Sequence, residues 1–216
     1  MNTVGYCACH VYLTGARHSS DGRAVSTPRY FQAYGRNYSF SGQTAAATSW
    51  DGAPAALAGL RRIAGLLVAP TVPSTGSADR AVVAVPNGCL CNWYEPHHSI
   101  GMHRDDTREL VHCAPIYSIS WGHPRKFVLE PRIPATAAAA SGTSAEPLSL
   151  LLGDGDLLVM GGRCQSTHKH SIPRIDKAAV RSAECTPPHL GRRISFTFRS
   201  FAEMDTRPTS STVANQ

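Results

Sequence analysis

Little in this sequence is long, apolar and uninterrupted. No run approaches the roughly 20 apolar residues that a membrane-crossing helix needs, so no helical membrane span is expected. The first residues lack the basic-then-apolar pattern of a secretory leader. An intracellular protein is expected, nuclear or cytoplasmic, with import into an organelle left open. Nor is there a disulfide framework. The seven cysteines are an odd number without regular spacing and read as reduced thiols. Cys7-x-Cys9-His10 has metal-binding residue types, but no second ligand pair stands at zinc-finger spacing, so it reads as a mobile N-terminus. No internal repeat is present. Acidic residues are the scarcer charge: 15 Asp and Glu against 21 Lys and Arg, net +6. That excess suits a polyanion such as nucleic acid, and is a weak signal alone.

What is there fits one domain, since 216 residues can bury a substantial core without a metal or disulfide staple. Residues 1–24 form an N-terminal segment, with Asp21-Gly22 placed as a hairpin tip. Residues 54–69 read as a helix: Leu57, Leu60, Ala64 and Leu67 recur at helical spacing and Pro54 sits in the first turn, although two internal glycines weaken it. Strands are expected at 82–94, 116–121, 126–130, 148–152, 156–160 and 193–201. The low-complexity stretch 131–147 and residues 176–192 read as loop insertions, and the chain from 204 as a flexible tail. Many short strands with one N-terminal helix point to a mainly β (α+β) protein. Its architecture is a double-stranded β-helix, or jelly-roll, with the helix packed outside. A monomer is expected.

The chemistry lies in polar residues with strand spacing. His103 and Asp105 share a face on a strand or its end. With one more histidine they make two imidazoles and one carboxylate, the triad that binds iron on one face and leaves the other open. His123, His168, His170 and His189 compete for the third place. His170 is preferred because His-Ser-Ile-Pro closes a strand, and His168, pointing to the same side, is its serious competitor. In 193–199 the apolar Ile194, Phe196 and Phe198 alternate with Arg193, Ser195, Thr197 and Arg199. Such a strand could present two arginines inward to clamp a chelating oxo-acid. Cys89 and Cys91 fall on one strand face as buried thiols.

The ordered motifs are Asn92-x-Tyr94, Ile100-Gly101-x-His103-Arg104-Asp105-Asp106, Ser118-Ile119-Ser120-x-Gly122 and Arg125-x-Phe127. They continue with Gly155-Asp156-Leu157-Leu158-x-Met160, His170-Ser171-Ile172-Pro173 and Arg193-x-x-x-Thr197-Phe198-Arg199. Together these resemble the AlkB family of Fe(II)- and 2-oxoglutarate-dependent dioxygenases. Upstream, Pro28-Arg29, Tyr34-Gly35 and Tyr38-Ser39-Phe40-Ser41-Gly42 resemble the branch containing AlkB homologue two, which acts on double-stranded DNA. The resemblance covers roughly residues 25–201 within a domain placed at 25–203.

The resemblance implies Fe(II) as cofactor, 2-oxoglutarate and O2 as co-substrates, and alkylated nucleic acid as partner. His103, Asp105 and His170 would hold iron. Asn92, Tyr94, Arg193, Thr197 and Arg199 would hold 2-oxoglutarate. Tyr38 and Phe40 would line a base pocket, one ring stacking on a flipped base opposite His103, with Arg29, Asp106 and Thr107 at its polar edge. The implied activity is oxidative demethylation of 1-methyladenine and 3-methylcytosine in DNA repair, releasing formaldehyde. RNA demethylation and protein hydroxylation by the same chemistry are the alternatives, and a non-catalytic nucleic-acid binding module is a third. Two departures matter. Thr107 stands where relatives in this branch carry a glutamate, and a neutral hydroxyl is a weaker acceptor for an exocyclic amine. Ser20-Asp21-Gly22 stands where duplex-acting relatives insert an apolar finger, so single-stranded substrate, which needs no flipping, gains weight.

Overall fold

The computed structural model describes residues 16–18, 24–26, 29–40, 43–68, 85–112, 114–132, 146–175 and 191–202. The insertion cores 133–145 and 176–190, the cysteine-histidine start and the C-terminal tail lie outside the described residues. Strands β1 (Ala16–His18) and β2 (Ala24–Ser26) pair antiparallel, with His18 opposite Ala24. The expected hairpin tip, Asp21-Gly22, falls between them, also outside the described residues.

The eight strands from 88 to 199 make the frame. They are β7 (Gly88–Tyr94), β8 (Ile100–His103), β9 (Ile116–Gly122), β10 (Arg125–Pro131), β11 (Leu148–Leu152), β12 (Leu157–Met160), β13 (His168–Ile172) and β14 (Arg193–Arg199). All but one of their successive connections cross between two sheets. The smaller sheet has the order β11-β10-β13-β8. The larger has β12-β9-β14-β7 and is extended by β3 (Tyr30–Tyr34) and β6 (Ala47–Thr48). This is the jelly-roll expected from the sequence. The crossings need tight corners. At Gly122, which leads from β9 towards β10, φ is +95° and a Cβ would lie 2.6 Å from the Arg192 carbonyl oxygen, so only glycine fits.

Strand β14 runs through the middle of the larger sheet, paired with β7 along its whole length and with β9 along most of it. Its alternation has the expected sense. Phe198 and Phe196 pack outward with Cys89, Tyr117 and Ile119 against helix α1 (Ala55–Val68), where Leu57 and Ala64 are buried. Each large side chain removed from water there contributes about 1.5–3 kcal/mol. Cys89 and Cys91 share this outer face as free thiols, Cys89 fully buried. Between the sheets, Tyr94, Ile116, Phe127, Leu152, Met160 and Ile172 form a second cluster. Four of these, Tyr94, Phe127, Met160 and Ile172, also form the apolar wall of a cavity whose other lining is largely polar. A short hairpin, β4 (Tyr38–Phe40) with β5 (Gln43–Ala45), adds Tyr38 and Phe40 to that lining.

Several elements differ from expectation. Among the described residues the strand placed at 82–94 begins at Gly88; residues 82–84 are outside the described set, and 85–87 belong to no strand, although the Asn87 N–H donates to the Arg199 carbonyl oxygen at 3.1 Å. Strands β3 to β6 were not anticipated. His103 ends β8, and His170-Ser171-Ile172 closes β13 ahead of Pro173, as expected. A one-turn helix, α2 (Cys164–Thr167), separates β13 from β12.

Candidate active site

The site is assembled by register. Strands β8 and β13 pair so that His103 stands directly opposite His170, and their rings lie with centroids 4.3 Å apart. His103 ends β8, and the chain turns inward there to bury Asp105. One carboxylate oxygen, Asp105 Oδ1, lies 3.8 Å from His103 Nε2 and 3.9 Å from His170 Nε2. The three ligand atoms are all within 4.8 Å of one another. His168 is half-buried, bonded to Thr167 Oγ1, and outside this group; His123 lies on the β9–β10 turn, and His189 is not among the described residues.

Protonation states suit a metal. Burial pushes His170 down to about 4, and lowers His103 as well. Both imidazoles are therefore neutral at pH 7, so a cation need not displace a proton. His103 Nδ1 sits 2.9 Å from the Gly101 carbonyl oxygen, an acceptor only, so Nδ1 carries the proton and Nε2 is free. Burial would raise Asp105, but Arg199, His170 and His103 together hold its carboxyl below the ordinary range. Two neutral imidazoles and one carboxylate fit Fe(II) and leave its remaining positions open.

Around the triad is a cavity of about 400 Å³. Four arginines line it, Arg29, Arg104, Arg193 and Arg199, against two carboxylates, Asp105 and Asp106, so its balance is positive. The four are not equivalent. Arg199 Nη2 donates to Asp105 Oδ2 at 2.8 Å, and its guanidinium lies 4.3 Å over the Tyr38 ring. Its charge is therefore taken up by the metal ligand. Arg193, 1% exposed, donates through Nη2 to Ser120 Oγ, while its Nε and Nη1 have no partner. A buried cation with two orphaned donors is costly unless an anion completes it. The residues present thus fit a carboxylate of a bound oxo-acid, with Arg193 rather than Arg199 carrying the unneutralised charge.

The remaining expected residues divide. Asn92, Tyr94 and Thr197 line the same cavity, Asn92 and Thr197 on adjacent strands β7 and β14. Tyr94 is sandwiched between Arg193 and Arg125, each guanidinium 5.6 Å from its ring centre. Tyr38 and Phe40 line the mouth with rings 5.9 Å apart, and burial pushes the Tyr38 hydroxyl up to about 12, so it stays a neutral donor. Arg29 is inside, but its Nε is bonded to Asn92 Oδ1. Asp106 is at the rim and carries its own counter-ion: Arg108 Nε donates to both its oxygens, at 3.0 and 3.1 Å. Thr107 is the one correction. It is exposed and not part of the cavity lining, because the chain turns outward there, with Leu110 N bonding back to its carbonyl.

Three contributors had no role assigned from the sequence. Ser120 orients Arg193; inward alternation along Ile116–Gly122 was the available signal. Gln165 on α2 accepts from the Asp105 backbone N–H at 2.9 Å, a contact no local pattern announces. Arg125, buried, ties the β7–β8 connection to the end of β13 through the His98 and Pro173 carbonyls.

The model of the 2OG-Fe(II) oxygenase superfamily matches residues 8–199. Among curated proteins, the DNA oxidative demethylase ALKBH2 of Bos taurus is 30% identical over 204 residues, covering 92% of this chain and 63% of its own length. The human DNA oxidative demethylase ALKBH2 is 30% identical over 194 residues, 87% of this chain and 63% of its own. The chain thus spans somewhat under two thirds of these relatives. A solved structure titled "The structure of OsALKBH1" superposes with a TM-score of 0.45 at 18% identity, over 80% of this chain and 78% of that one.

Proposed function

The chain belongs to the 2OG-Fe(II) oxygenase superfamily, whose chemistry uses Fe(II), 2-oxoglutarate and O2, and we propose that it is a nucleic-acid demethylase that acts on 1-methyladenine and 3-methylcytosine in DNA. The observation that carries this reading is one cavity holding three things: the His103, Asp105, His170 triad, the unpaired Arg193 and the aromatic pair Tyr38 and Phe40. That relatives of this chain are DNA oxidative demethylases supports a DNA substrate.

Each residue's part follows from its place. His103, Asp105 and His170 would hold Fe(II), which when bound with 2-oxoglutarate and O2 would supply the oxidant needed to hydroxylate an N-methyl group. Arg193, steadied by Ser120, binds an oxo-acid carboxylate. Arg199 fixes Asp105 through Oδ2, leaving Oδ1 turned towards the two imidazoles. Tyr38 and Phe40 offer a stacking wall for a base, whose methyl is then brought to the triad. The hydroxymethyl product loses formaldehyde and leaves the unmodified base. Single-stranded DNA is the preferred form, since Ser20-Asp21-Gly22 contains no apolar wedge to hold a duplex open.

The test is to incubate the protein with Fe(II), ascorbate, 2-oxoglutarate and single strands bearing one lesion, and weigh the strands by mass spectrometry. Loss of one methyl mass, abolished in His103→Ala and Arg199→Ala, is the expected result. Consumption of 2-oxoglutarate with every methylated strand untouched would move the substrate to RNA or protein. Absence of both would overturn the enzyme reading.

A further inference from the structure

Arg29 was expected to read the polar edge of a base, yet it is committed elsewhere. Its Nε–H donates to Asn92 Oδ1 at 2.8 Å, and both residues are buried. We propose that Arg29 is a positioning residue for the co-substrate: by holding the carbonyl of Asn92 it turns that amide so that its NH2 group faces the oxo-acid. The inference rests on the reading that the cavity takes 2-oxoglutarate.

The oxygen and nitrogen of an asparagine amide are nearly interchangeable in shape, and only bonding distinguishes them. A guanidinium has donors and no acceptor, so only Oδ1 can face Arg29. That leaves Nδ2, with two N–H groups, on the other branch of a side chain that lines the cavity. Among the described residues Nδ2 has no hydrogen-bond partner. An oxo-acid offers the cavity only acceptors. The amide presented donor-first can bind it, and the flipped amide would set oxygen against oxygen. Without Arg29, the choice between the two is open.

Arg29 also lies 5.4 Å over the Phe40 ring. It immediately precedes β3, whose Phe31 is the register partner of Asn92. One side chain therefore touches both the residue that would bind the acid and the aromatic wall that would bind a base. Occupation of either side restrains the same guanidinium, so the two ligands should favour each other reciprocally.

The experiment is a double-mutant cycle read by equilibrium binding, not turnover. Protein loaded with Mn(II) in place of Fe(II) is titrated calorimetrically with 2-oxoglutarate, for wild type, Arg29→Ala, Arg29→Lys, Asn92→Ala and the double alanine variant. Arg29→Ala should weaken 2-oxoglutarate about tenfold, the scale of one hydrogen bond to a charged group, and Arg29→Lys should recover part of it. In the Asn92→Ala background, Arg29→Ala should do nothing further. An unchanged affinity in Arg29→Ala, or the same weakening with Asn92 already removed, overturns the inference. Should Arg29→Ala not fold, Arg29→Met, which keeps a stem over Phe40, replaces it and must give the same cycle. Failure of the wild type to bind 2-oxoglutarate at all would instead sink the functional reading beneath it.

Discussion

Residues in this site earn their roles by what faces them, and His98 shows the same logic away from the metal. Its Nδ1 accepts from the Glu95 backbone N–H at 3.1 Å, and its carbonyl accepts from Arg125. The Tyr30 ring stands edge-on at 4.9 Å and His97 packs at 4.4 Å. Burial, then the neighbouring His97, hold its pKa below the ordinary 6.5. In the unfolded chain the ring is freed and takes a proton first as pH falls. Its contribution to stability is therefore complete above about pH 6.5 and is lost as pH drops towards the folded value, where the ring must charge and give up its acceptor. His98→Gln should flatten the fall of Tm between pH 7 and pH 5, measured calorimetrically in the presence of a chelator. Parallel curves for the two proteins would refute it. None of this shows in the sequence, where His97-His98 is merely a pair of histidines before the metal motif. The family resemblance picked out His103, Asp105, His170, Asn92 and Arg193, where strand spacing alone left His168 in competition with His170, and all five line one cavity. It misplaced Thr107, since an exposed turn begins one residue after the rim.

At the scale of elements, legibility followed how apolar a segment is. Strands β9 to β12 and β14 stand within one or two residues of where β-branched and aromatic runs put them. Strands β8 (Ile-Gly-Met-His) and β13 (His-Lys-His-Ser-Ile) were placed only through their histidines and given no bounds, because their polar composition departs from a β-rich run. Helix α1 was found at 55–68 against an expected 54–69 despite Gly59 and Gly65. Packing of Leu57 and Ala64 on the larger sheet overrides the glycine penalty. The penalty is still present, and the two glycines bear it differently. A Cβ on Gly59 meets nothing within 4 Å, whereas one on Gly65 comes to 3.3 Å from Val85 Cγ1. Gly59→Ala should therefore stabilise the protein by roughly 0.5–1 kcal/mol, raising Tm by about 2 °C for a chain of this length. Gly65→Ala should gain less. A Tm rise no larger for Gly59→Ala than for Gly65→Ala in thermal melts would contradict this account of the helix.

The whole molecule encloses cations in the middle of a β sandwich. Arg125, Arg193 and Arg199 are each under a tenth exposed, and each has at least one donor without a partner. Arg199 has Asp105 and Arg125 has backbone carbonyls; among the described residues Arg193 has only Ser120 and the face of Tyr94. A fold built for packing alone would replace that guanidinium, because hydrophobic substitution of buried charge is often stabilising by 1–4 kcal/mol. Its retention makes sense if an anion completes the core. Two opposite effects should follow from Arg193→Met. The metal-free, ligand-free protein should melt no lower than wild type, and higher by a few degrees if about 1 kcal/mol is recovered. Adding 2-oxoglutarate at a hundred times its dissociation constant to Mn(II)-loaded wild type should gain a further ~2.7 kcal/mol, roughly 5–11 °C, while Arg193→Met should keep the gain due to Mn(II) and lose this further one. Scanning calorimetry of both proteins, with and without each ligand, separates these terms. A variant that melts lower when empty, yet still responds to 2-oxoglutarate, would show that Arg193 holds the sandwich together and does not wait for an anion.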